Sequence, residues 1–298
     1  MPDYIKSPMN YTGGKYKILE HIIPSFPESI NNFVDLFAGG LNVGINVQAD
    51  TIYANDQITY LVELYKLFQD TSIDSLLSAI KERIAYFNLS QTNAEGYNAL
   101  RAEYNQSKFL LDLFVLTCYS FNHQIRFNSK HEFNTPFGKE RSSFNESIER
   151  NLVLFCTALQ KKNIILSTGD FRDFDFARLT KGDVVYCDPP YLITTGSYND
   201  GKRGFKDWTE SEDSDLLALL DKLNERGILF ALSNVFAHKG QTNDALIEWS
   251  KKYSVLYIDK TYSNCSYHFK DRGAKTVEVL ITNYEWEEPK CEQMTLML

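Results

Sequence analysis

The chain lacks paired cysteines. Its five, Cys118, Cys156, Cys187, Cys265 and Cys291, include no two at CxxC spacing. An odd count without that spacing excludes a zinc quartet and a disulfide framework, and reads as reduced thiols that mostly serve packing. No apolar stretch of the secretory type stands in the opening MPDYIKSPMN. No run reaches the roughly 18 apolar residues a membrane span requires. There is no P-loop lysine motif, no HExxH and no GxSxG elbow, and the five histidines are scattered. These absences predict a cytoplasmic protein with no membrane association and no metal. Positive charge is also short. Lys and Arg number 31 against 39 Asp and Glu, a net charge of -8. Phosphate binding needs clustered Lys and Arg, so a nucleic-acid ligand would require a locally basic patch on an acidic molecule.

What is present alternates between strand and helix. Apolar strands are predicted at Asn32 to Phe37, Thr51 to Asn55, Asn163 to Ser167, Asp183 to Cys187, Ile228 to Ser233, Ser254 to Ile258 and Thr276 to Thr282. A helix with Leu216, Leu217, Leu219, Leu220 and Leu223 inward is predicted over Ser211 to Arg226. Between the second and third strands, Ile58 to Leu116 has helical periodicity, no proline and a single glycine. Strands alternating with helices imply a mostly parallel sheet covered on both faces. We therefore expect an α/β, Rossmann-like, doubly wound sheet with an antiparallel edge strand and a helical insertion. The division is 1–58 and 152–298 for the α/β domain and 59–151 for the insertion.

Three segments carry chemistry. The first runs Phe33-Val-Asp-Leu-Phe-Ala-Gly-Gly40-Leu-Asn-Val-Gly44, a buried strand ending in Asp35 and a turn holding Gly39, Gly40 and Gly44. Ligands of α/β sheets bind beyond the carboxyl ends of the strands, where glycine admits close backbone approach. Asp56 follows about 20 residues on, at the end of the next strand, where an acid can accept from ribose hydroxyls. The second is Asp183-Val-Val-Tyr-Cys-Asp188-Pro189-Pro190-Tyr191. The lone pair of an aromatic exocyclic amine is delocalised into its ring. Methylating it requires acceptors for both N–H groups, so that the nitrogen can pyramidalise toward the methyl. The Asp188 carboxylate and the Pro189 carbonyl can be those acceptors, on a backbone that Pro189 and Pro190 stiffen, and Tyr191 can stack on the base. The third segment, Phe121 to Arg141, interleaves aromatics, asparagines and cations. From Asn122 to Arg141 four Lys or Arg stand against two Glu. Alone it reads as a solvated loop; beside the other motifs it reads as base-edge and phosphate contact.

These motifs resemble the DNA adenine methylase family (the adenine-N6-specific DNA methyltransferases of the alpha group, D12 class), and the likeness extends over most of the chain. Asn10-Tyr11-Thr12-Gly13-Gly14-Lys15 is similar to that family's opening motif, which maps cofactor contact to Tyr11 and Lys15; many members carry Trp where Tyr11 stands. The family's turn usually reads Gly-x-Gly after the alanine, where this chain has Gly39-Gly40-Leu41. The resemblance implies S-adenosyl-L-methionine as cofactor, bound by Tyr11, Lys15, Asp35, Phe37, Gly39, Asp56, Asp170, Phe171 and Asp188. It implies a catalytic Asp188, Pro189, Pro190 and Tyr191, acting on an adenine flipped out of double-stranded DNA. It implies DNA contacts from a hairpin at about 121–141, through Phe121 as a wedge, Asn122, Gln124, Arg126 at a base edge, Asn128, Asn134, Pro136, Lys139 and Arg141, with Arg272 and Lys275 on phosphate. A monomer is the family default. Action on cytosine N4 or on RNA, and a catalytically idle DNA-binding subunit, are the alternatives.

Overall fold

The computed structural model describes residues 3–11, 13–194, 208–258 and 276–286. Its centre is an eight-stranded sheet. In chain order the strands are β1 (Asn32–Asp35), β2 (Thr51–Asp56), β3 (Ile164–Thr168), β4 (Val184–Cys187), β5 (Leu229–His238), β6 (Gln241–Thr242), β7 (Ser254–Tyr257) and β8 (Val277–Thr282). Their order in space is β3-β2-β1-β4-β5-β8-β7, with β6 a short hairpin partner of β5. The first five pair in parallel. Antiparallel pairing enters at one side, where β8 lies between β5 and the edge strand β7. The expected mostly parallel sheet with antiparallel pairing at its edge is what forms.

The central strands are short and apolar because both faces are covered. Alternate residues feed different cores. Phe33, Val184 and Tyr186 face one side, while Val34, Val185 and Cys187 face the other. Each fully buried Phe or Val contributes about 1.5–3 kcal/mol relative to exposure. The amino ends of β1 and β4 are pinned by the buried Asp183, whose carboxylate accepts from the Asn32 backbone N–H at 3.0 Å and from the Thr180 backbone N–H at 2.8 Å.

A short helix, α1 (Leu19–Ile22), precedes β1. The predicted helical stretch after β2 resolves into α2 (Thr59–Asp70), α3 (Ile73–Tyr86), α4 (Ala94–Ser107) and α5 (Leu110–Tyr119). α2 buries Leu61, Leu64, Tyr65 and Phe68. After an irregular segment the chain enters α6 (Glu146–Lys161), then β3. The division anticipated at residue 151 falls inside α6, and one continuous apolar core joins the two sides of it. Helices α7 (Glu210–Glu225) and α8 (Asp244–Ser250) flank β5. α7 opens with a capping box in which Thr209 and Glu212 satisfy each other's backbone N–H groups.

The 120–145 segment holds one 3-10 turn, Phe121–His123, and two isolated bridges, Ser120 to Phe137 and Phe127 to Phe133. Its shape comes from α4. Tyr97 donates to the Thr135 carbonyl at 2.8 Å, and Asn105 both accepts from the Phe133 N–H at 2.7 Å and donates to its carbonyl at 3.0 Å. Among the described residues, no helix is long and apolar enough to cross a membrane.

Candidate active site

The sheet reverses its winding between β1 and β4, and the crevice beyond the carboxyl ends at such a switch point is where open α/β sheets bind ligands. A cavity of about 310 Å³ lies there. It gathers Tyr11, Lys15, Asp35, Phe37, Gly39, Asp56, Asp170, Phe171, Asp188, Pro189, Pro190 and Tyr191 on its walls. Every described residue assigned from sequence to cofactor or catalysis therefore meets in one space. Gln124 and Arg126 of the irregular segment line the same cavity.

The floor is set by backbone amides. Asp56, at the end of β2, accepts from the Gly39 N–H at 2.8 Å and the Ile58 N–H at 2.9 Å. Both its oxygens are thus oriented while lone pairs remain for a ligand. Asp35, at the end of β1 and 1% exposed, accepts from the Gly44 N–H at 2.9 Å. Burial pushes its carboxyl up to about 7. The Gly44 amide opposes that rise, and the Asp188 and Asp56 charges add to it. Asp56 is raised as well, by burial.

The turn between them leaves no room for side chains. A Cβ on Gly39 would sit 3.1 Å from the Tyr11 ring, and one on Gly40 would sit 2.9 Å from Asn42 Nδ2. Gly39 has φ +46°. Leu41 keeps a left-handed φ of 55° where a Gly-x-Gly turn has its second glycine. That costs about 1–2 kcal/mol. The offset comes from a fully buried side chain and a short Leu41 N–H bond to the Ala38 carbonyl, 2.6 Å.

One end of the cavity is aromatic. Phe37 lies 5.5 Å from Phe171 and 5.6 Å from Trp208, and Phe171 lies 5.7 Å from Trp208, centroid to centroid. Asp170 stands beside them, but Arg172 holds both its carboxylate oxygens, at 2.7 and 2.8 Å. The acid's orientation is thereby fixed by its neighbour.

At the other end the Asp188 carboxylate meets the Lys15 ammonium at 2.8 Å. Lys15 is only 6% exposed, and its Nζ also donates to the Gly13 carbonyl at 2.9 Å. The Tyr191 hydroxyl donates to the same Asp188 oxygen at 3.0 Å, and Lys15 Nζ sits 5.1 Å from the Tyr191 ring centroid. The second oxygen, Oδ2, has no partner among the described residues.

The DNA-contact assignments divide. Phe121 is 41% exposed, with the Arg141 guanidinium 5.1 Å from its ring centroid. Asn134, Pro136 and Lys139 are exposed on the same segment. Asn122 is exposed, and its carbonyl accepts from Asn10 Nδ2 at 2.8 Å. Arg126 carries a buried Nε without a hydrogen-bond partner. Asn128 differs. Its Oδ1 accepts from the backbone N–H groups of Lys130 and Glu132, at 2.9 and 3.0 Å, and its Nδ2 donates to Glu132 at 2.7 Å. Most of its amide serves the loop's own turn. Arg272 and Lys275 lie outside the described residues. Trp208 and Glu278 were given no role from sequence. Trp208 stands just before the capping box, and Glu278 is a charge inside the apolar run Val277 to Thr282. Both patterns are visible signals in retrospect.

A doubly wound sheet of this order with the cavity at its switch point is a Rossmann-like methyltransferase fold. The chain belongs to the D12 class N6 adenine-specific DNA methyltransferase family, whose model matches residues 11–264. It is 53% identical over 281 residues to the type II methyltransferase M.FokI of Planomicrobium okeanokoites, covering 94% of this chain and 43% of that protein. It is 50% identical over 284 residues to the modification methylase StsI of Streptococcus sanguinis, covering 95% and 43%. The chain thus spans less than half the length of these two relatives. To the DNA adenine methylase of Escherichia coli K12 it is 28% identical over 285 residues, with 93% and 94% covered.

Proposed function

We propose that this protein transfers a methyl group from S-adenosyl-L-methionine to N6 of an adenine flipped out of double-stranded DNA, as a modification methylase. The observation that carries the reading is the Asp188 carboxylate, held by Lys15 and Tyr191 through one oxygen with the other unengaged among the described residues, at the end of a cavity whose opposite end is aromatic.

The residues fit the cofactor. Phe37, Phe171 and Trp208 offer faces for an adenine, with Asp170 beside them. Asp56 offers oriented oxygens for ribose hydroxyls. Gly39 lets the turn pack directly against Tyr11, since a Cβ there would sit 3.1 Å from the Tyr11 ring. Asp35, Asp56 and Asp188 give the cavity a negative field that suits a sulfonium cation. When bound, the cofactor supplies an activated methyl whose leaving group is a neutral thioether.

The chain's own residues do the rest. Asp188 Oδ2 and the Pro189 carbonyl accept the two amine N–H groups, so the nitrogen lone pair leaves the ring's conjugation as charge develops. The acceptors are already oriented, which lowers the reorganisation cost of the transition state. Asp188 takes up the proton that the methylated nitrogen sheds. Tyr191 covers the base with the ring face away from Lys15. Arg126, whose Nε is buried without a partner, reads a base edge from the 121–141 segment. Phe121 fills the gap left in the stack, and Lys139 and Arg141 meet phosphate. The block 59–151 is the target-recognition part, and the enzyme works as a monomer in the cytoplasm.

The test is transfer of labelled methyl from S-adenosylmethionine to unmethylated duplex DNA, with the labelled nucleoside identified. N6-methyladenine is expected. Label only in cytosine, only in RNA, or nowhere overturns the reading.

A further inference from the structure

Glu278 is the second carboxylate of the catalytic end. It is carried by β8, remote in sequence from both Lys15 and Asp188. Its Oε1 lies 3.9 Å from Lys15 Nζ and 3.5 Å from the Tyr191 hydroxyl. Its side chain is 30% exposed. The strand is otherwise uncharged, and Val277, Val279, Leu280 and Ile281 are buried. A charge in such a strand is retained against the cost of burial only where something compensates it.

The charge count at this end explains what it does. Lys15 is 2.8 Å from Asp188, and alone the pair would sum to zero. The amine nitrogen, however, gains positive charge as the methyl arrives, and a cancelled carboxylate stabilises that charge weakly. A second carboxylate on Lys15 restores a net negative charge to the cluster. We propose that Glu278 is a positioning residue of the transfer step: it draws off part of the Lys15 charge, so that Asp188 keeps its negative charge for the amine. This rests on the reading of Asp188 as the amine's acceptor.

The groups facing Glu278 are consistent with this role. Lys15 and the Tyr191 hydroxyl favour its ionised form, whereas burial and Asp188 oppose it and raise its pKa. Tyr186, on β4, is the further titratable group it faces. From β5 the paired residue is the apolar Val235, and on the β7 side the contact is the Ile258 N–H on the Glu278 carbonyl at 3.1 Å. Among the described residues, no other charged group reaches it.

Glu278→Gln keeps the shape and removes the charge, and Glu278→Asp keeps the charge. Two measurements are made on the full chain. The first is equilibrium binding of S-adenosylmethionine and of its neutral thioether product, S-adenosylhomocysteine, read by tryptophan emission. The second is single-turnover methylation of duplex DNA from pH 5.5 to 9. With Gln, the preference for the cation over the thioether should fall roughly fivefold or more, as loss of one nearby charge in a medium of intermediate dielectric requires. The rate should fall roughly tenfold or more at pH 8 by the same electrostatic argument. The wild-type to Gln rate ratio should fall toward one as the pH is lowered, because burial raises the Glu278 carboxyl above its ordinary value. Asp should restore the cation preference and the pH dependence of the ratio. Unchanged preference and rate in the Gln variant overturn the proposal. So does equal impairment of Gln and Asp at every pH, which would mean shape and not charge. If the wild-type enzyme labels cytosine or nothing, the function reading fails, while the cation preference still decides for or against Glu278.

Discussion

Gly44→Ala tests the cofactor end through one atom. Gly44 donates its N–H to Asp35 Oδ2 at 2.9 Å, and a Cβ there would fall 2.9 Å from that oxygen and 3.0 Å from Leu41 Cδ1. Asp35 is only 1% exposed, and its carboxylate sits directly against the new atom. The added methyl must therefore break the amide contact. A hydrogen bond to a charged group is worth about 1.5–3 kcal/mol, which corresponds to roughly 10- to 100-fold in affinity. S-adenosylmethionine should bind weaker by that factor. The pH dependence should move too. In the wild type, Asp35 is protonated below about 7. A cationic ligand favours the ionised form, so affinity should rise with pH up to about 7 and then level off. The Gly44 amide is what holds that value down; without it the plateau should begin at higher pH. The assay is a titration from pH 6 to 9 followed by the emission of Trp208, which lines the cavity, with thermal melting as a control on folding. If the variant melts normally and binds with the same affinity and midpoint, Asp35 does not touch the cofactor and the assignment of this end is wrong.

Asp188→Ala should lower single-turnover methylation by about 100-fold or more, the scale for losing one preorganised polar group, with circular dichroism unchanged; normal turnover would sink the assignment. Arg126→Ala should relax base preference at one position of the methylated site, at about 1–3 kcal/mol of discrimination, as read by competition between duplexes. Asn128→Ala should instead weaken all duplexes alike, because that amide builds its own turn; a changed base preference in the Asn128 variant would contradict this. Arg83→Leu should cost about 3 kcal/mol and several degrees of melting temperature. It strands Asp112, which is fully buried and held bidentately by Arg83 at 2.7 Å through both oxygens; an unchanged melting temperature would show the pair to be dispensable.

The central strands were legible in the sequence because they are buried on both faces and read as continuous apolar runs, as Val184 to Cys187 does. The loop motifs were legible because their constraints are local: a turn that must admit a ligand requires glycine, and Asp-Pro-Pro-Tyr needs no distant partner to be recognised. What the sequence did not show depends on distant partners or on how a loop folds back on itself. Nothing near Asn128 distinguishes an amide folded into its own turn from one pointing at DNA, since both need a polar residue in a loop. The helix that crosses residue 151 was not legible as one element: Asn145, whose side chain accepts from the Ile148 N–H, caps α6 six residues before that division. Glu278 was passed over because only the β5-β8 pairing brings it beside Lys15.

That pairing also bears on how the protein is made. Lys15 and Glu278, far apart in sequence, meet in one charge cluster with Asp188, and β8 is an interior strand on which β7 depends for its place in the sheet. A ribosome-bound chain that has not yet released β8 has neither the finished cluster nor the strand that holds β7. The charge cluster is therefore complete only after synthesis has passed residue 282. For the same reason, a chain split between β4 and β8 would regain its cluster only when the two fragments reassociate.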